Sequence, residues 1–459
     1  MSMLINTISA IGNNNSFAPL LVRDCGIEAP TKVYQRYNQN AKESQIMAKH
    51  ATRECFIDEY GSSAIWLGGV PAVEAICNKI IDKKGLSSAV NYKLLDDAPN
   101  AMSTIDKLQQ GVDVNIEKFK NIKGAEEAVE DLKKAKLNKN IFKNMTVAKY
   151  TAAIAIPVAL MGFVLPKSNF ALTNFLMAKD AQKGLIPDKY LQDKSFKGKN
   201  LDIVSKDDNS KVDYKALYNS SKDSKYSALN SIKAQNKSNS PSFKGYASFM
   251  TGLTQQQKMA MTDGGLGAGR IGTSRRKNEA IENSVRVGGM MYLNFYAPKQ
   301  IDKGMDKAIT KIFGINPSLD PKIMANKRFL ALVRSDKLEL PKTQEEVIDF
   351  IDNNPKSVFS KMAEKKGEVK FLKCGIRDPR RYVDTEKVFN LAEQMREFGE
   401  SARKSGNVKK YARKALGAKS ASILANIAIS SSLLAIGLPQ LQFAIRRTFF
   451  DSDVDPGLV

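Results

Sequence analysis

Two long uncharged stretches, Tyr150–Pro166 and Ser420–Ile445, are each preceded by lysine and arginine with no acidic residue among them. Lys133, Lys134, Lys136, Lys139, Lys143 and Lys149 lead into the first; Arg403, Lys404, Lys409, Lys410, Arg413, Lys414 and Lys419 lead into the second. Apolar segments flanked by cations are how a chain meets a bilayer with an anionic face. As a helix, Ser420–Ile445 would extend about 39 Å against a hydrocarbon core of roughly 30 Å. It is therefore expected to cross, with Lys419 before it and Arg446 and Arg447 closing it; a buried core helix is the alternative. Tyr150–Pro166 reaches only about 25 Å and needs snorkelling by Lys149 and Lys167 to span. If both segments crossed, the two cation runs would fall on opposite sides, which the positive-inside bias disfavours. The expectation is one anchor at 416–447 and one re-entrant hairpin at 146–180, hinged at Pro166. The bulk of the chain is then placed on the cytoplasmic face of the inner membrane, with the acidic tail beyond Arg447 exported.

The rest of the composition fits an anionic partner. Among 459 residues, Lys+Arg of 71 against Asp+Glu of 48 give +23, so lipid headgroups come first and nucleic acid second. A merely solubilising lysine surface is the bland alternative. Cys25, Cys55, Cys77 and Cys374 form no paired motif, which favours a reducing face. His50 is the only histidine, so histidine-rich zinc sites are excluded and any Ser–His or Cys–His dyad must use it. It lies in a polar helical stretch, where a surface position is expected. No metal, cofactor or catalytic residue is assigned.

The pattern along the chain is mainly α. A leader (1–20) precedes an N-terminal helical region (21–145). The apolar 146–180 segment follows, then a 181–245 linker rich in Lys, Ser, Asn and Asp. A second helical region (246–415), the anchor (416–447) and a tail (448–459) complete it. Thr385–Lys404 reads as an amphipathic helix with Val388, Leu391, Ala392, Met395 and Phe398 on one face. Lys365–Cys374 holds the only candidate strands. The runs Tyr60–Val73 and Val287–Pro298 are uncharged but too short to cross, and are expected as buried helices. Asp24–Pro30 aligns loosely with Asp263–Gly269, and each is followed by a polar helix and an apolar segment ending at Pro71 or Pro298. Either a helical unit is duplicated or Gly/Pro turns have converged on similar letters.

Gly267-Ala268-Gly269-Arg270-Ile271-Gly272 satisfies the GxGxxG pattern but lacks the preceding buried strand of a dinucleotide site. It is expected as a flexible turn before a helix. Gly267, Gly269, Arg270, Arg275, Arg276 and Lys277 form the one candidate anion site, since free helix-start N–H groups and cations would converge there. No pair of carboxylates is placed across a cleft, so general acid–base chemistry has no support.

In texture, carried by Ile65-Trp66-Leu67-Gly68-Gly69-Val70-Pro71 and the C-terminal apolar helix, the chain resembles uncharacterised lysine-rich bacterial membrane-associated helical proteins. That resemblance covers roughly half the chain and implies no activity. The expected function is a membrane-anchored structural or scaffolding protein. A soluble nucleic-acid-associated protein is the rival, and an enzyme holding a phosphorylated ligand at the glycine-rich turn is the third reading.

Overall fold

A computed structural model describes residues 2–12, 17–97, 102–186, 249–251, 253, 255–315, 317, 319–451, 454–455 and 458. The expected linker falls largely outside the described residues. The fold is mainly α, and among the described residues the expected strand region contributes only an isolated antiparallel bridge between Phe371 and Arg377.

Among the described residues, three helices are long and apolar enough to cross a membrane: Gln45–Lys83, Lys139–Gln182 and Val408–Phe450, of 39, 44 and 43 residues. Each is interrupted by a proline that does not break it. A proline supplies no N–H to the carbonyl four residues back and its ring clashes with that carbonyl. In each of the three a widened π turn ends two residues ahead of one proline: Ile65–Gly69 before Pro71, Leu160–Val164 before Pro166 and Leu433–Gly437 before Pro439; Pro157, earlier in the second helix, follows regular α-helix. The same arrangement, Leu21–Glu28 before Pro30, carries the chain into the helix Ala29–Ala41. This corrects two sequence expectations. Pro166 is not the hinge of a re-entrant hairpin, because Lys139–Gln182 continues through it. Tyr60–Val73 is not a short buried helix but the middle of Gln45–Lys83.

The first two long helices run antiparallel, with Arg53 reaching Thr173 at one end (3.1 Å) and Lys149 reaching Asn78 toward the other (3.2 Å). The third joins through two further helices, Gln255–Thr273 and Lys277–Phe295, which form an antiparallel pair. Residues 24–83 likewise fold as an antiparallel pair, Ala29–Ala41 against Gln45–Lys83, so both segments of the sequence alignment are helix hairpins. Glycines permit the close crossings. A Cβ on Gly269 would lie 2.6 Å from the Cα of Gly162, and one on Gly265 would lie 2.7 Å from Val158. On another side of the same helix, a Cβ on Gly267 would drive into Val287. Small residues four apart that let two backbones touch are a familiar membrane packing device.

A globular head caps one end of this bundle, assembled from two distant parts of the chain. Residues 84–138 supply helices Thr104–Gln110, Val112–Phe119 and Glu126–Leu137. Residues 319–407 supply Lys327–Arg334, Val347–Asn353, Val358–Lys365 and Thr385–Lys404. Thr385–Lys404 has the predicted bounds and buries all five predicted residues against Phe329, Val347 and Phe359. Polar side chains clamp the two parts together. Asp106 accepts from Tyr382 (2.7 Å) and Thr385 (2.6 Å), and the Gln110 amide oxygen accepts from the Val383 N–H (2.9 Å). The fully buried Arg377 donates to Asp352 (2.8 and 3.2 Å) and Asn115 (3.3 Å), with its guanidinium over the Phe119 ring. Both cation runs, 133–149 and 403–419, lie at this head end, as the leads into the second and third long helices.

Two measurements test these features. Gly269→Ala should destabilise the protein by about 1–3 kcal/mol, because the new methyl meets unyielding backbone. Gly272→Ala, in the same helix with open space around it, should stabilise by about 0.5–1 kcal/mol; thermal melts followed by helical circular dichroism compare the two. In the head, burial and then the nearby Asp96 and Asp97 raise the Tyr92 phenol from 10.0 to about 12. The phenol ionises less readily folded than unfolded, so its contribution is intact below pH 10 and is lost as pH rises toward 12. Head stability should fall across that window, and Tyr92→Phe should flatten the fall.

Candidate functional site: a buried ionic cluster at the far end of the bundle

The second and third long helices bury polar side chains and leave many large apolar ones exposed. On the third, Ser422, Asn426, Ser430 and Ser431 are buried, while Leu424, Ile429, Leu433, Ile436 and Leu441 are exposed. On the second, Asn169 and Thr173 face inward and Ile156, Leu160, Val164, Leu172 and Phe175 face outward. In water this arrangement exposes apolar surface and desolvates polar groups; against hydrocarbon it puts each where it belongs.

The buried polar groups converge at the end opposite the head. Arg286 pairs with Glu59 and with Asp58 (3.2 Å), Asp58 also accepts from Arg270 (2.7 Å), and Lys32 joins Glu59 (3.7 Å) to Glu28. A second group closes into a ring: Arg36 to Glu282 (3.4 Å), Glu282 to Arg446 (2.7 Å), Arg446 to Asp455 (3.5 Å) and Asp455 back to Arg36 (2.8 Å). Arg275 bridges Glu54 (2.7 Å) and Glu279 (2.9 Å). These charges come from five helices, the turn that holds Arg275 and the tail, and neither hairpin could bury its own share alone. A buried ion costs several kcal/mol to dehydrate, and only close opposite charge with hydrogen bonds offsets that cost. The cluster lines a partly open cavity of about 60 Å³ between the two hairpins and the second long helix, bordered by Arg36, Glu54, Asp58, Arg270, Glu282, Arg286 and Asp455 among others.

The residues of the expected anion site have other engagements in this geometry. Gly267 and Gly269 lie inside the helix Gln255–Thr273, where backbone N–H groups are committed to the helix and the glycines serve close packing. Arg270 donates to Asp58 and Ser62, and Arg275 is held between two glutamates. Just before the next helix, Glu279 accepts from the Arg275 N–H (2.5 Å). Arg276 precedes Lys277 at the start of that helix, and the structure brings neither of them to the cavity.

The membrane-flanking cations divide in the same way. Lys167 and Arg447 are exposed, and Arg447 reaches Gln39 (3.4 Å). Lys149 hydrogen-bonds Asn78 and lies beside the Tyr150 ring. Lys419 instead turns inward to Asp302 (3.3 Å) and Asp306 (3.1 Å). Burial holds the Asp306 carboxyl above its usual range, against the pull of Lys419. Arg446 is wholly buried, and the tail residue expected to be exported, Asp455, folds back onto it.

His50 is likewise buried rather than exposed. Arg53 donates to its Nδ1 (3.2 Å), which leaves Nε2–H to donate to Asp180 (2.9 Å). The histidine thus ties the first long helix to the second, and its ring nitrogens are both used. No group of three or more His, Cys, Asp or Glu suited to a metal occurs among the described residues. No family model matches the chain, and no curated protein or solved structure is significantly similar to it.

The letter pattern could have flagged one part of the cluster: Glu59 and Arg286 each lie twelve residues before Pro71 and Pro298, the ends of the two aligned segments, and they pair with each other. Breaking the ring should be costly. Arg446→Leu leaves the buried Glu282 and the partly buried Asp455 with one cation between them and should destabilise by about 3–5 kcal/mol. Removing Glu282 as well should recover part of that loss, read as the coupling in a double-mutant thermal-melt cycle of the full chain.

Proposed function

We propose that the protein is a membrane-embedded structural protein that holds a helical head against an anionic leaflet. The observation that carries this reading is the run of exposed leucine, isoleucine and phenylalanine on the second and third long helices, opposite interiors that include serine, threonine and asparagine. A soluble nucleic-acid-associated protein would need those outward residues covered by its own core. The placement of both lysine and arginine runs at the head end supports an orientation with the head on the cytoplasmic side, where anionic lipid attracts roughly 1 kcal/mol per nearby cation. A structural role is supported by the ion pairs of the bundle interior, most of which join different helices.

The reading fixes the sides of two exposed lysines. Lys183, just beyond the second long helix, lies at the far end, next to Ile186, which packs with Met47 and Met177. Lys337 lies in the head. In a background with the four native cysteines replaced by serine, Lys183→Cys and Lys337→Cys should react with an impermeant maleimide from opposite faces of sealed vesicles. The protein should also stay with the membrane after carbonate washing. Release by carbonate, or labelling of both sites from one face, would overturn the proposal.

A further inference from the structure

The cavity inside the ionic cluster has hydrogen-bonding capacity of both kinds left over. Arg270, 6% exposed, has no partner for its Nε–H, and Asn169, 3% exposed, has none for its Oδ1, although both border the cavity. The Asn169 amide nitrogen donates to the Glu54 carbonyl (2.8 Å), which brings the unspent oxygen beside the Glu54 residue whose carboxylate also borders the space. A buried donor or acceptor left unpaired is expensive, so such groups mark a place where something binds. What fits must present an acceptor to a guanidinium and a cationic donor to an amide oxygen and a carboxylate. At about 60 Å³, the space corresponds to roughly four to six water positions, the size of a molecule of five or six heavy atoms.

We infer that this cavity is a binding site for a small zwitterion of the amino-acid class, its carboxylate on Arg270 and its ammonium toward Asn169 and Glu54. A simple anion would meet the carboxylates of Glu54, Asp58, Glu279, Glu282 and Asp455, and a simple cation would leave the Arg270 Nε–H unpaired. A ligand with both charges answers both at once; water, which donates and accepts, would pair each group singly, and would leave glycine without effect in the test below. The site requires the cavity and not the bilayer, so it stands or falls separately from the membrane reading.

Cys55 also borders the cavity and reports on it without any substitution. With the purified full chain, glycine is the probe, and alkylation of Cys55 by a small thiol reagent is followed by peptide mass spectrometry. Cys25, Cys77 and Cys374 serve as internal controls. Glycine should slow Cys55 alkylation saturably while leaving the other three unchanged. Arg270→Lys, which keeps the charge and deletes Nε, should weaken that protection about tenfold. Should the variant not fold, the wild-type comparison with acetate and methylamine decides alone, since neither half-molecule should protect as glycine does. No protection by glycine, or equal protection by acetate or methylamine, would sink the assignment.

Discussion

Everything in this fold depends on helices that pass through proline without stopping. A π turn shifts the hydrogen-bond register so that the carbonyl a proline cannot serve is taken up elsewhere, and the chain repeats the device at Pro30, Pro71, Pro166 and Pro439. Had Pro71 and Pro166 ended their helices, the first two long helices would be halved. The head would then lose its connection to the ionic cluster at the opposite end. The widened turns also displace side chains around the helix axis, which helps small residues such as Gly162 sit beneath a crossing helix.

The ionic cluster specifies how the hairpins sit on one another. Hydrophobic contact between apolar helix faces is nearly indifferent to a slide of one turn, whereas Arg286 can meet both Asp58 and Glu59 in one register only. The cluster is therefore better regarded as a positioning device than as a source of net stability, since dehydration consumes much of what the ion pairs return. The closed ring of Arg36, Glu282, Arg446 and Asp455 extends that positioning to the C-terminal segment, drawing the end of the third long helix against the first hairpin.

The sequence was most legible where structure is local. Helical periodicity located Thr385–Lys404 and its buried face, and the length of Ser420–Ile445 located the third long helix, because both signals lie within one element. It was least legible where an outcome depends on remote partners. Proline as a helix stop is a sound local rule, and only packing against neighbouring helices reverses it at Pro71 and Pro166. Arg270 and Arg275 looked free because Asp58 and Glu54, which neutralise them, lie more than two hundred residues earlier. The glycines near Gly269 looked like a turn because the backbone of Gly162, which requires their smallness, is equally remote. Lys419 and Arg446, expected to flank the membrane, turn inward to Asp306 and Glu282, which lie more than a hundred residues earlier.

The two-part head has a consequence for how the chain is made. Its first part ends near Leu137, and the strap that carries Arg377, Tyr382 and Thr385 is synthesised some two hundred and forty residues later. At ribosomal rates of about 5–20 residues per second, that delay is on the order of ten seconds or more. Asp106, Gln110 and Asn115 must wait through it with their hydrogen bonds made to water. During the same interval the first two long helices can already find each other through His50–Asp180 and Arg53–Thr173. The order of synthesis thus favours assembling the bundle first and closing the head last.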